Sequence, residues 1–166
     1  MLGSNFDEAR AKTCCVTGHR DIPAEQVEFV KQELMKEAEK AISEGYVYFL
    51  TDLADGVDQY FAEVVAKLRE NNDSLRLTAL LPYRNRFKKL LGDTYTEQLL
   101  SACSEVGVVN EKFAPNSMFI CRRRMLEQSS RMIAVFDGRE KSGVLSAIRM
   151  AHAQGIKIQE IPLGLN

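Results

Sequence analysis

Short apolar runs alternate with helix-period segments along almost the whole chain, and this alternation narrows the fold more than any other feature. Residues 13–17, 46–51, 75–81, 132–136 and 157–161 read as strands, and 105–110 as a weaker sixth. Between the first two strands, Val27, Val30, Leu34, Ala38, Ala41 and Ile42 recur at steps of three and four, one face of an amphipathic helix over 24–43. Pro23 suits its first turn and Gly45 its C-terminal cap. Val57, Phe61, Val64, Val65 and Leu68 repeat the pattern over 57–69. Residues 83–104 are helical in composition but split at Gly92-Asp93. Further helices are expected over 117–129 and 142–153, the second capped by Ser142 and closed by Gly155. Pro82 is expected to end the third strand. Strands separated by helices predict parallel pairing with right-handed crossovers. A run such as Ile133–Phe136, apolar without alternation, predicts strands covered on both faces. The expected class is α/β, a mostly parallel sheet of about six strands with helices on both faces.

Composition sets the outer limits. A chain of 166 residues, 45% hydrophobic and 27% charged, is long enough for one well-packed domain and too apolar to be mainly disordered. A net charge of −1 gives no global pull toward nucleic acid or anionic membrane. No apolar run approaches the roughly 20 residues of a membrane span. The polar opening MLGSNFDEARAK has no signal-peptide core. We read residues 1–12 as a flexible N-terminal segment, 13–166 as a single domain, and the location as cytoplasmic. Cys14 and Cys15 adjoin on a strand, where neighbouring side chains face opposite ways, so reduced buried thiols are expected. With no C-x-x-C spacing and only the distant His19 and His152, no metal site is expected.

In an open doubly wound sheet, ligands bind beyond the carboxyl ends of the strands. Three loops qualify: Thr17-Gly18-His19-Arg20 after the first strand, Thr51 to Asp58 after the second, and Asp137 to Gly143 after the fifth. Each pairs glycine with polar residues ahead of a helix N-terminus, whose free N–H groups favour anions. Arg20 adds a group able to grip phosphate bidentately. Strand-to-helix turns favour Gly, Asp and Ser whatever the function, so the ordinary-turn reading stays open. The sequence has no G-x-G-x-x-G, Walker A or G-x-S-x-G motif.

The three stretches Val16–Arg20 (VTGHR), Ala54–Asp58 (ADGVD) and Ser129–Gly138 (SSRMIAVFDG), followed by SGVLSAIRMA, together resemble the DUF1273 (YpsA-like) family. That family belongs to the SLOG superfamily, with the Lonely Guy phosphoribohydrolases and the DNA-processing protein DprA. The resemblance implies a Rossmann-like three-layer sandwich with a pocket for a nucleotide or nucleotide-derived ligand. Carried over by position, it implies one wall from Gly18, His19 and Arg20, and a second from Gly56 and Asp58. Asp137, Gly138, Ser142 and Gly143 would make the phosphate-facing third. The chain departs from the family pattern in several places. Ser142-Gly143-Val144 stands for a glycine-glycine-threonine run, and Asp52 stands where relatives tend to have glycine. Cys121-Arg122 or Arg123-Arg124 stands for an arginine-asparagine pair. The hydrolase branch's glutamate position holds Ala147.

These departures favour binding without turnover. The expected function is sensing or carrying a nucleotide-derived molecule such as an adenine nucleotide, NAD or ADP-ribose, with no cofactor required. The alternative is N-glycosidic hydrolysis of nucleoside 5′-monophosphates. A DprA-like single-stranded DNA module is weaker still, and the near-neutral charge disfavours nucleic acid. His19 serves as a ligand hydrogen-bond partner or as a turn-capping histidine. Asp58 holds a ligand hydroxyl, complements a helix dipole, or does both. Arg122, Arg123 and Arg124 fan out at 100° steps and read as a solvated helix face. A homodimer is left open.

Overall fold

The computed structural model describes residues 2–164; Met1 and residues 165–166, which end the expected N-terminal segment and domain, lie outside the described residues. Six strands form one all-parallel sheet in the order β4-β3-β2-β1-β5-β6. They are β1 (Thr13–Gly18), β2 (Tyr48–Thr51), β3 (Arg76–Tyr83), β4 (Glu105–Asn110), β5 (Arg131–Phe136) and β6 (Lys157–Pro162). The helices are α1 (Leu2–Arg10), α2 (Val27–Ser43), α3 (Val57–Arg69), α4 (Arg84–Leu91), α5 (Thr94–Ala102), α6 (Ser117–Glu127) and α7 (Gly143–Ala153). The fold is the expected Rossmann-like three-layer α/β sandwich.

Cys14 and Cys15 on the central strand show how the layers separate. Cys14 faces a core shared with α2, α3, α4 and α5, while Cys15 faces a second core with α6 and α7. Both are buried, as the period of two along a strand requires. Phe49 and Phe61, with ring centroids 6.0 Å apart, hold α3 to β2 in the first core. Met125, Leu126, Met132 and Ile148 fill the second. At the strands' amino ends, the fully buried Arg131 meets Glu44, lies 3.8 Å from Glu37 and sits over the Tyr46 ring at 5.4 Å.

One local expectation needs correcting. Pro82 does not end the third strand, because β3 continues to Tyr83. The pairing of β2 stops at Ala79, and Pro82 itself has no register partner, so its missing N–H leaves no ladder bond broken. The N-terminal segment contains α1. Its end is fixed by Ala11 N–H donating to the Asp7 carbonyl and by Thr13 Oγ1 donating to Ala9 at 2.6 Å.

Candidate functional site

Strands run from β1 outward through β2, β3 and β4 on one side, then resume beyond β1 with β5 and β6. The reversal lies between β1 and β5, and loops leaving those neighbours diverge to opposite faces, opening a crevice at their carboxyl ends. A cavity of about 360 Å³ occupies it.

The β1 loop is seated directly on α3. A Cβ on Gly18 would fall 2.3 Å from the Cβ of Val57, and one on Gly56 would fall 2.4 Å from the His19 carbonyl oxygen. Gly56 also has φ +81°, a conformation costly for other residues. Val57 N–H donates to the His19 carbonyl at 3.2 Å, completing the contact. His19 is 4% exposed and its ring stacks on Phe136 at 5.9 Å. The Asp137 N–H donates to His19 Nε2 at 3.2 Å, which fits a neutral ring protonated at Nδ1. Burial pushes the imidazole pKa below its ordinary value, against the opposing pull of Asp137. Asp137 Oδ1 lies 3.1 Å from the same nitrogen, an ion pair only when the ring is protonated.

The β2 loop is built around Leu53, a buried non-glycine residue at φ +56°. Its N–H donates to Thr51 Oγ1 at 3.1 Å, and its carbonyl accepts from Gln59 Nε2 at 3.1 Å and Arg86 Nη2 at 2.8 Å. Such over-determination holds a strained residue in place. It presents Asp52 and Ala54 to the cavity, with Asp58 from the first turn of α3 beside them. Burial, and then the neighbouring Asp52 charge, hold the Asp58 carboxyl well above the usual carboxylate range.

The β5 loop supplies the other wall. Ser142 caps α7, its Oγ accepting from Leu145 N–H at 3.1 Å. A Cβ on Gly143 would lie 2.8 Å from Arg122 Nη2, so the guanidinium rests against the amino end of α7. Arg139 clamps Asp137 through Nε and Nη2, and its Nη1 reaches Asp21 Oδ2 at 3.1 Å, tying the β5 loop to the β1 loop. This clamp holds the Asp137 carboxyl pKa below its ordinary value.

The structure brings Gly18, His19, Arg20, Asp58, Ser142 and Gly143 to one cavity. Gly56, Asp137 and Gly138 do not line it. Gly56 allows two loops to touch, Asp137 anchors His19 and Arg139, and Gly138 turns the chain at φ +88°. Sequence reasoning missed Arg122, Arg139 and Lys141 as cavity residues. For Arg122 a partial signal existed, because Cys121-Arg122 is one of the two placements, with Arg123-Arg124, that stand for the arginine-asparagine pair. The arginine triplet does fan out: Arg123 pairs with Glu127 at 3.1 Å, whereas Arg122 turns inward. Among the described residues, Arg20, Arg122 and Lys141 form no ion pair, so three cations face the cavity uncommitted.

A parallel sheet with a polar cavity at its strand reversal, walled by a helix amino end and arginines, defines a Rossmann-like protein of the ligand-crevice kind. The chain belongs to the YpsA (YspA) SLOG family, whose family model matches residues 14–161. It is similar to a UPF0398 protein of Ligilactobacillus salivarius (strain UCC118), 25% identical over 134 residues, covering 74% of this chain and 73% of that one. Its fold resembles that of DNA processing protein A from Helicobacter pylori, a structure reported for its single-stranded DNA binding mode. That match has a TM-score of 0.67 at 19% identity and covers 98% of this chain and 70% of the other. It also resembles TM1055, a structural-genomics target, with a TM-score of 0.59 at 16% identity over 89% and 72% of the respective chains. Among the described residues, no helix is long and apolar enough to cross a membrane.

Proposed function

We propose that the cavity binds a phosphorylated, nucleotide-derived small molecule and that the protein senses or carries it without turning it over. The observation that carries this reading is the meeting, in one cavity, of the α7 amino end with Arg122, Lys141 and Arg20. Free N–H groups, a helix dipole and uncommitted guanidinium groups together suit a phosphate. A volume of about 360 Å³ lies in the range of small-ligand sites. Membership of a SLOG family supports a nucleotide-like ligand.

Binding is preferred to N-glycosidic hydrolysis because Ala147, on the cavity-facing side of α7, puts a methyl group where the hydrolase resemblance expects a carboxylate. Thermal melting with AMP, ADP-ribose and NAD tests the reading. At 100 times its Kd a true ligand stabilises the fold by about 2.7 kcal/mol, and Arg122→Ala reduces the shift. Flat melts with all three overturn it. Free adenine released from AMP, measured by chromatography, would instead favour the hydrolase.

A further inference from the structure

The two edges of the sheet, β4 and β6, are finished differently. Along a strand, the N–H and C=O of successive residues point to opposite edges. In β6, Lys157 N–H donates to the Ser130 carbonyl and Leu163 N–H to that of Phe136, so the odd-numbered residues face β5. Ile158, Glu160 and Pro162 therefore face outward, and Pro162 has no N–H to offer there. With the charged, exposed Lys157 and Glu160 beside it, this edge is blunted in the way that natural sheets avoid stray pairing.

β4 carries neither lysine nor proline, and none of its residues is fully buried. Arg76 N–H donates to the Val47 carbonyl, so Arg76 and Thr78 face β2, while Leu77, Ala79 and Leu81 face β4. The register that sets Leu80 beside Gly107 then turns Glu105, Gly107 and Val109 toward β3. It leaves the N–H and C=O of Val106 and Val108 pointing outward. Among the described residues, no loop or side chain hydrogen-bonds to these groups; the nearest side-chain bonds are those of Ser104 and Asn110. Val106 is itself 37% exposed.

We propose that β4 pairs antiparallel with β4 of a second copy of this chain, across a two-fold axis, to give a dimer with one continuous sheet. Antiparallel pairing sets outward residues against outward residues. With Val106 opposite the second copy's Val108, every N–H and C=O of these two residues is paired, and Gly107 lies on the axis opposite itself. Pairs of that kind bring Cα atoms to about 4.5 Å, and glycine leaves no side chains to collide there. Glu105 falls opposite Val109 and Ser104 opposite Asn110, so no like charges meet. Sliding the strands one way sets Glu105 against Glu111. Sliding them the other way sets Val108 against Ser104, whose N–H is already given to the Leu77 carbonyl. The edge is thus complementary to itself in one register, and the blunted β6 edge stops growth at the dimer. The cavity takes no part, since β4 lies three strands from β1, about 14 Å.

Sedimentation velocity of the full chain over about 2–200 μM tests the pairing, because an interface built on one strand pair lies at the small end of the specific range. The mass of the wild type is expected to rise across that span from 18.7 kDa toward twice that value. Val106→Pro removes an outward N–H and no bond to β3, as Pro162 does in β6, and is expected to stay monomeric throughout with its dilute-solution melting unchanged. If that variant melts abnormally, Val106→Lys, a charge at an exposed edge position, takes its place. A wild type that remains monomeric at the highest concentration overturns the inference. So does a folded edge variant that still dimerises, which would put the contact on another face, or a wild type that grows beyond the dimer.

Discussion

Gly18 and Gly143 both lie at the cavity, yet an added methyl group meets a different obstacle at each. At Gly18 it would strike the Cβ of Val57, a fully buried residue fixed in the first turn of α3. Gly18→Ala is expected to cost about 1–3 kcal/mol in urea unfolding, because neither backbone can withdraw. At Gly143 it meets only the far end of Arg122, a long side chain free to swing away. Gly143→Ala should therefore change stability by no more than about 0.5 kcal/mol, while moving Arg122 off the α7 amino end. Nucleotide affinity should fall on the order of tenfold, read by calorimetry. The VTGHR and SGV stretches mark both glycines in the sequence as special. Which is packing and which is access depends on neighbours far along the chain, Val57 for one and Arg122 for the other. Arg122 was legible only as one of three consecutive arginines, since a helical fan does not say which member faces inward.

At the level of elements, all six strands and the helices flanking them were readable from apolar runs and their period. What sequence could not supply was how the loops are braced. Arg86 stands among the basic residues of α4, with Arg84, Lys88 and Lys89, but its guanidinium donates to the carbonyl of Leu53. That bond and the one from Gln59 hold a positive-φ residue that sets the position of Asp52. Arg86→Ala is expected to lower stability by about 1–2 kcal/mol, the worth of a bond from a charged donor. It should also weaken nucleotide binding although Arg86 does not line the cavity. Arg86→Lys, which can still donate to the carbonyl, should restore most of both losses. α1 illustrates the opposite limit: its sequence carries no strong apolar stripe, and pattern reading passed it over.

Across the whole molecule, His19 ties the two sides of the strand reversal together, accepting from Asp137 beyond β5 while its carbonyl receives Val57 of α3. Because burial lowers its pKa in the folded state, the unfolded chain takes up the proton first. Stability from this group is fully present above the unfolded value of about 6.5 and is lost as pH falls toward the lower folded value. The unfolding free energy should decline as pH falls below about 6.5, and His19→Gln should flatten that part of the curve. The other histidine, His152, is exposed on α7.

Arg139 bridges Asp137 and Asp21 where the β5 and β1 loops approach each other. The inner carboxylate is almost wholly buried, whereas the side chain of Asp21 is 66% exposed, so the outer half of the bridge is the part that water and salt can undo. The tie between the β1 and β5 loops is therefore expected to loosen as ionic strength rises, while the Arg139–Asp137 pairing beneath it persists.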